Sequence, residues 1–538
     1  MARVRLTAGL FLSAVLVGLL LIQPNRPSAV TWQALTMKPL ELPVLLFGAL
    51  ALGRWITVPA AVVATVLILL STLKFADLAA YEAFGRSFDP VVDMNLVPAG
   101  FRLLSGSIGV PATAAAAAFV VIALVLLGWL VFAGLRSWGR AGARLPSGGR
   151  YAAATLSAAF VALSAADVRA ALQEGVQWNP PGTAFSARTA ILEGRGILRS
   201  QAALEEFHAA AEADPWQERE GGFARLDGRD IVIVFIESYG RAAYDNPLYA
   251  PRHGETVQQG EIALARTGLA ARSGWLTSPV IGGRSWLAHG TLASGLELGD
   301  QRRYGAMLTS PRRTLFDIAN DAGYHTLAVA PAIVLPWPEG PQFGFREILD
   351  ADDLGYAGLP FNWVTMPDQY TLAAFERLAP RDAPLLAEIA LISSHAPWTP
   401  VAEMVPWDDV GDGSIFDEMA TAGPTPREVW SDRDSIRDHY GRSLDYSLQA
   451  VLSWAALSRE SAPLIVVLGD HQAAATISQD GGMDVPVHLI GPPEVLAFFD
   501  GWNWSEGLTP AGELPVWPMS AFRDRFLAAT SGPGEDRS

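Results

Sequence analysis

Two apolar runs that end abruptly in acidic residues constrain this chain most. Ile231-Val-Ile-Val-Phe-Ile236 is an unbroken stretch of β-branched and apolar residues, followed at once by Glu237, Ser238, Tyr239, Gly240 and Arg241. A second run, Leu464-Ile-Val-Val-Leu468, passes through Gly469 into Asp470 and His471. Continuous apolarity of this length reads as a strand covered on both faces. Such strands belong to open α/β sheets, where ligands bind just beyond the carboxyl ends of the strands. A carboxylate at that edge, ahead of a glycine turn, is placed for chemistry rather than for packing. Two strands that bring Glu, Asp and His to one edge supply donors for a divalent cation from distant parts of the sequence.

The pattern from residue 231 onward alternates between strand and helix. Residues 314–322 and 369–378 read as helices, and 323–330 and 385–392 as strands. The strand at 385–392 ends in Ser393, Ser394 and His395, and a long amphipathic helix over 436–457 leads into the Asp470 strand. This alternation predicts a largely parallel sheet with helices on both faces, over residues 230–538. Residues 167–229 are polar and read as a helical linker.

The first 166 residues are of another kind. Half of the chain is hydrophobic and only 17% is charged, a balance that suits a soluble domain joined to membrane spans. Apolar runs cover 6–22 (behind Arg3 and Arg5), 40–52 (interrupted by Glu41 and Pro43), 58–73, 112–135 and an Ala-rich 151–166. A helix needs about 20 apolar residues to cross the ~30 Å hydrocarbon core, and 112–135 meets that most clearly. The reading is a membrane domain of about five spans over 1–166. Arg3 and Arg5, then Arg54, then Arg136, Arg140, Arg144 and Arg150 fall on one side only if the spans number five. The positive-inside rule places them in the cytoplasm. The expectation is a multi-pass protein of the inner (cytoplasmic) membrane, with everything after 166 outside the cytoplasm. The loop 74–109, which carries Asp77, Glu82, Asp89 and Asp93, is then outside too.

Charge and cysteine content exclude whole classes. A net charge of −16 argues against a nucleic-acid partner. The absence of Cys removes disulfides, Cys-based zinc sites and thiol nucleophiles together.

A third stretch, 278–295, supplies the reacting group. Gly282-Gly283 makes a tight turn, after which Arg284, Ser285 and Trp286 begin a helix. A hydroxyl there sits where backbone N–H groups and the helix dipole favour anions. Ser285 is therefore a candidate nucleophile toward phosphorus, or a plain cap after a glycine turn. A serine hydroxyl is weak at neutral pH, and a metal ion on its oxygen would lower its pKa. Glu237, Asp470 and His471 would supply that metal. Carboxylate and hydroxyl donors with one His suit Mn²⁺ or Mg²⁺, and Zn²⁺ fits as well.

Four further residues are candidates for substrate contact. Arg284 either pairs with a phosphate oxygen bidentately or caps a surface. His289, one helical turn beyond Ser285, shares its face and either orients phosphate or packs half-buried. Arg241 follows the metal-type turn and is placed to neutralise substrate charge. Trp337, with Phe343, Phe345 and Tyr356, lines a glycerol-sized pocket or fills the core. His488 follows Val485-Pro486-Val487 near a strand and either reaches the site edge or packs away from it, while Asp445 and Thr291 read as structural.

Taken together, the segments "FIESYGR", "GGRSW", "SSHAPW" and "LGDHQ" resemble the sulfatase/alkaline phosphatase superfamily. They look most like its membrane-anchored lipoteichoic acid synthase and phosphoglycerol transferase branch. That resemblance implies five spans, a linker and an extracytoplasmic sulfatase-like domain. It implies Glu237, Asp470 and His471 as metal ligands, with Ser285 as nucleophile and fourth ligand. His395 matches the family's active-site histidine for substrate binding or acid–base work. The implied reaction moves a phosphodiester headgroup from a membrane phospholipid, phosphatidylglycerol by resemblance, to a glycan or polymer acceptor through a phosphoserine. The same fold also serves phosphodiesterases and sulfatases, phosphoethanolamine transferases and, without catalysis, scaffold modules. Ser285 stands where lipoteichoic acid synthases use Thr. The Pro of the formylglycine pattern is missing after it, which disfavours a sulfatase, and the lack of Cys weighs against the disulfide-bearing phosphoethanolamine transferases.

Overall fold

The computed structural model describes residues 2–84, 87–90, 93–96, 101, 105, 109–173, 182–219, 221–459 and 461–532. The chain divides into two compact units, Met1–Ala203 and Leu204–Ser538. Much of the expected outer loop 74–109 lies outside the described residues, as does the side chain of Glu82.

The five apolar runs fall in turn on helices α1 (Ala2–Ile22), α2 (Glu41–Leu52), α3 (Thr57–Phe84), α4 (Val110–Gly142) and α5 (Ser147–Ala171). A sixth helix, α6 (Phe185–Glu212), begins in this unit and continues into the next. Among the described residues, three helical stretches are long and apolar enough to cross a membrane: 41–81, Val110–Gly142 and Ser147–Ala171. The first of these is not one straight rod. Gly53 takes φ 55° and ψ −118°, and a 3₁₀ turn follows over Gly53–Ile56.

The polar contacts at the two ends of the bundle show that the chain reverses at this turn. At one end, Lys74 Nζ donates to the Leu21 carbonyl (3.0 Å) and to Ser186 Oγ (3.2 Å). There too Ala187 N donates to Glu41 Oε1 (3.0 Å), and Ala184 N to Asp167 Oδ2 (2.8 Å). At the other end, Arg150 Nε donates to the Ala51 carbonyl (3.2 Å), while Leu50 lies against Gly142 and Ile56 against Gly139. The five helices therefore alternate in direction. Gly139 and Gly142 permit the close approach, since a Cβ at Gly142 would lie 2.1 Å from the Leu50 carbonyl oxygen.

The second unit is built on one mixed sheet. Its described strands are β1 (Ile231–Ile236), β2 (Ala270–Thr277), β3 (His325–Val329), β4 (Glu347–Leu349), β5 (Leu385–Leu391), β6 (Leu464–Gly469), β7 (Asp484–Gly491), β8 (Ser505–Glu506) and β9 (Val516–Pro518). The order is β4-β3-β5-β1-β6-β7-β2-β8, with β9 paired to β2. The half from β4 to β6 is parallel, as the strand–helix alternation predicts. The other half departs from that expectation: β7 runs antiparallel to β6 and to β2, and β8 antiparallel to β2. An apolar run fixes burial but not direction, so this edge was not legible as antiparallel.

Strand parity builds two cores. Val232, Val234 and Ile236 join one core with Ile465 and Val467, and helices α7 (Ala250–Arg266), α9 (Asp368–Leu378) and α10 (Arg433–Ala455) cover that face. Ile231, Ile233 and Phe235 join the other with Leu464, Val466 and Leu468, under helix α8 (Ser285–Ser294), which contributes Leu287, Ala288 and Leu292. Period-two alternation carries the odd series on β1 onward to Glu237 and the even series on β6 onward to Asp470. The register pairs Ile236 with Gly469, so these two carboxylates emerge side by side on the α8 face. A side chain on Gly469 is not tolerated there, since its Cβ would lie 1.8 Å from the Tyr239 carbonyl oxygen.

Candidate active site

The β1 and β6 ends and the start of α8 converge at the carboxyl edge of the parallel half. Asp470 and His471 are buried, and Glu237 and Ser285 are nearly so. Ser285 Oγ donates to Glu237 Oε2 (2.9 Å) and stands 3.3 Å from His471 Nε2. His471 Nε2 is also 3.3 Å from Glu237 Oε1 and 3.7 Å from Asp470 Oδ2. One donor atom from each of Glu237, Asp470 and His471 lies within 4.8 Å of the others, which is the compactness a metal ion requires.

Surrounding hydrogen bonds fix each donor. Asp470 Oδ1 accepts from Ser238 N (2.8 Å) and His471 N (2.6 Å), which leaves Oδ2 to face the cluster. His471 Nδ1–H donates to the Gln472 carbonyl (3.0 Å), which turns Nε2 inward toward the cluster. The backbone of Glu237 is held through its carbonyl by Ser394 Oγ (2.6 Å), and that of Ser238 by Tyr440 Oη (2.8 Å). Ser238 bends the chain out of β1 with φ 58°. On the α8 side, Gly282 (φ 66°) and Gly283 (φ 139°) form the turn that the GG pair predicts, and Arg284 follows in the left-handed region at φ 66°. Gly282 N donates to the Gln472 carbonyl (2.9 Å), pinning the turn before Ser285 to the His471 segment.

The electrostatics of this cluster are those of a site short of positive charge. Burial and then the adjacent Glu237 charge push Asp470 up to about 7. Burial alone would also raise Glu237, but the charge of His471, its hydrogen bond and the charge of His395 hold that carboxyl well below the usual range. Burial disfavours the His471 cation, yet Asp470 and Glu237 outweigh it and lift the imidazole to about 9. Two carboxylates this close cannot both ionise without a cation or a proton between them.

The remaining candidates separate into those near the cluster and those committed elsewhere. His289 lies on the α8 face with Ser285. Its Nδ1 is 2.8 Å from Glu388 Oε1 on β5, and its ring stacks on Phe235 at 3.8 Å. Burial opposes its charge, but Glu388 and then Asp470 and Glu237 raise its pKa above the ordinary histidine value. His395 is exposed; its Nδ1–H donates to the Ala396 carbonyl (2.7 Å), leaving Nε2 open to solvent. Arg284 is half-buried beside Ser285.

Arg241 and Trp337 both have partners outside the cluster. Arg241 is consumed by Asp245 (2.8 Å), Asp484 (3.3 Å) and the Gly512 carbonyl (2.9 Å), and it lies over Trp275 at 4.6 Å. Trp337 packs 6.0 Å from Phe343 and 5.9 Å from Phe345, both buried rings of the α8-side core. Thr291 turns inward to accept from Leu298 N (3.0 Å), and Asp445 is held by Thr256. Glu388 was not singled out from sequence, although a lone carboxylate in the apolar strand Leu-Leu-Ala-Glu-Ile-Ala-Leu is a visible signal.

His488 sits behind the site in a closed network rather than at its edge. Tyr239 Oη bonds His253 Nε2 (2.9 Å) and His488 Nε2 (3.2 Å), and Ser273 Oγ bonds His488 Nδ1 (2.7 Å). Burial pushes both imidazoles down to about 3, with the His253 neighbour adding to the effect at His488. Their folded pKa values lie below the ordinary value near 6.5, so they favour the folded state above pH ~6.5 and lose that contribution as pH falls toward 3. Each histidine is expected to cost about 2 kcal/mol between pH 6.5 and 5. Thermal unfolding of the parent against His488→Gln across that range checks this: the variant is expected to lose less of its stability on acidification.

No protein-family profile matches the chain, and no curated protein matches it. Solved structures do. One is the lipoteichoic acid synthase LtaP from Listeria monocytogenes, at 12% identity over 51% of this chain and 69% of that one, TM-score 0.34. Another is the phosphoglycerol transferase GacH from Streptococcus pyogenes in complex with sn-glycerol-1-phosphate, at 12% identity over 61% and 79%, TM-score 0.37. A third is the soluble domain of lipooligosaccharide phosphoethanolamine transferase A from Neisseria meningitidis, at 16% identity over 56% and 87%, TM-score 0.39. The chain is similar to these three proteins.

Proposed function

We propose that the protein is a membrane-anchored, metal-dependent phosphoglycerol transferase, moving a headgroup from a phospholipid donor to an envelope glycan or polymer. The observation that carries this reading is the Ser285 hydroxyl, 2.9 Å from Glu237 and 3.3 Å from His471 at the joined ends of two distant strands. Glu237, Asp470, His471 and the Ser285 oxygen would hold one divalent cation, and the charge-starved carboxylate pair fits such an ion. The oxygen donors favour Mn²⁺ or Mg²⁺, and Zn²⁺ suits the imidazole. When bound, the ion lowers the pKa of the hydroxyl and takes up charge from the phosphoryl oxygens.

The chain's own groups do the rest. Ser285 Oγ, ionised beforehand with its proton lost to bulk water, forms a bond to phosphorus while the bond from phosphorus to the diacylglycerol oxygen breaks. His395, open at Nε2, gives that oxygen its proton. An acceptor hydroxyl then displaces Ser285 and passes its proton to His395, which restores the starting state. Arg284, next to the nucleophile, and His289 meet the phosphoryl oxygens. Five alternating helices in the first unit support a five-pass anchor that leaves the catalytic unit outside the inner membrane. The 12-residue α2 spans only about 18 Å, so its crossing relies on the flanking turns.

The test is product analysis. Full-length protein in phosphatidylglycerol vesicles with Mn²⁺ is expected to release diacylglycerol and pass the labelled headgroup to an added glycan. Release of free glycerol phosphate irrespective of acceptor would make it a hydrolase, and no release with any cation would overturn the reading. Glu388 serves this chemistry by holding the His289 proton. Glu388→Gln keeps the shape and removes the charge, and kcat/KM is expected to fall about tenfold with an unchanged melting temperature.

A further inference from the structure

The sheet edge at which Ser285 lies is fringed by loops with apolar tips. The connection from β3 to β4 holds Val334 and Leu335 in solvent, 64% and 74% exposed. The connection from β4 to α9 does the same with Leu359 and with Trp363, which is 75% exposed. Trp286, next to Ser285 in the chain, is exposed as well. Hydrogen bonds tie the two loops to each other and to the segment after His395. Ala351 N donates to the Ile333 carbonyl (3.0 Å), Thr365 Oγ1 to the Pro331 carbonyl (2.6 Å) and Asn362 Nδ2 to the Thr399 carbonyl (2.6 Å). Neither tip carries charge: no Asp, Glu, Lys or Arg occurs from 326 to 338 or from 354 to 367.

Leu and Trp held out at loop tips are costly in water, and a group of them marks a surface that something covers. A bilayer is at hand for every copy, because the same chain carries three helical stretches of membrane-spanning length. Leu and Trp together suit its interfacial layer, where the indole takes the headgroup level and the aliphatic side chain the acyl boundary. The missing charges matter as much. Entry strips no ion of its water, since the tips hold none. In a chain of net charge −16, acidic tips would also be repelled by anionic headgroups, and these are not. We infer that the tips around Leu335 and Trp363 enter the lipid surface, so that the carboxyl edge of the sheet works against the membrane rather than in bulk water. This rests on the reading of the protein as a membrane-anchored transferase, and adds to it a docking surface on the second unit itself.

The chain has no Cys, so one introduced thiol labels one place. Leu335→Cys, Trp363→Cys and Asp382→Cys are each labelled with an environment-sensitive fluorophore in the full-length protein, in vesicles of phosphatidylglycerol and phosphatidylcholine. Asp382 is exposed ahead of β5, at the opposite edge of the sheet, and serves as the control. Nitroxide-bearing lipids are expected to remove about half or more of the emission at 335 and 363, as for a group held ~5–10 Å below the headgroups, and little at 382. Emission at 335 and 363 that the nitroxide leaves unchanged would overturn the docking, whether the tips stay in water or lie against a second copy. A Leu335→Asp/Trp363→Asp protein is expected to lose about tenfold in kcat/KM toward phosphatidylglycerol in vesicles. Toward a short-chain phosphatidylglycerol dissolved as monomers it is expected to lose nothing, at an unchanged melting temperature. Equal losses on the two donors would also overturn the docking. Quenching at both tips in a protein that never releases diacylglycerol would overturn the transfer reading and leave the docking standing. Diacylglycerol release without quenching would do the reverse.

Discussion

Ser285→Ala is expected to abolish headgroup transfer, by about 10⁴-fold or more, while leaving the fold intact. The magnitude follows from removing the atom that forms the bond to phosphorus, since the groups around a lost nucleophile supply only a small residue of the rate. The fold survives because the helix that Ser285 begins is anchored by Leu287, Ala288 and Leu292 in the core, not by the serine. Its turn is set by Gly282 and Gly283 and by the bond from Gly282 N to the Gln472 carbonyl. Alanine is also a better helix former than serine. Ser285→Thr restores a hydroxyl at the same place and is expected to recover measurable transfer. The paired result, a dead alanine and a live threonine at equal melting temperature, separates a reacting hydroxyl from a cap. An alanine variant within tenfold of the parent would remove Ser285 from the chemistry.

Asp470→Asn is expected to strip the protein of its metal and lower activity by about 10³-fold or more. The substitution isolates charge from shape. The Asn carbonyl still accepts from Ser238 N and His471 N, the two bonds that Asp470 Oδ1 makes. Its amide then replaces Oδ2, the oxygen that faces His471 Nε2 at 3.7 Å, with a neutral donor that repels a cation. The stability consequence has opposite signs with and without metal. In chelator the variant is expected to be at least as stable as the parent, because the buried repulsion between Asp470 and Glu237 is gone. In saturating Mn²⁺ the parent gains stability and the variant does not, a difference of about 2.7 kcal/mol at a hundredfold excess over Kd. Metal content after dialysis, read beside melting curves in chelator and in Mn²⁺, checks both. A variant that retains stoichiometric metal would take Asp470 out of the ligand set.

Much of this site was legible because strands alternate faces. Glu237 continues the odd series of Ile231, Ile233 and Phe235, and Asp470 the even series of Leu464, Val466 and Leu468, so each carboxylate could be assigned a face. That the two faces are the same depends on the pairing of Ile236 with Gly469, which an apolar run does not encode. The Gly282-Gly283 turn was readable because only glycine adopts those angles without strain. Arg241 pairs with Asp245, four residues on and a visible helical partner; its nearness to Glu237 in sequence says nothing about which way the guanidinium swings. Trp337 carried no local signal to separate packing from lining. In the first unit the separate runs 40–52 and 58–73, with Arg54 between them, implied a reversal near residue 53, and the contacts made across the bundle give its place at Gly53.

The most direct test of the central claim is to catch the reaction halfway. Full-length protein with Mn²⁺ and phosphatidylglycerol, given no acceptor and quenched in acid, is digested and mapped by mass spectrometry. A phosphoglyceryl group on the peptide carrying Ser285, absent in chelator, is the expected result. Continued diacylglycerol release with that peptide unmodified, or with the group on another side chain, would contradict it.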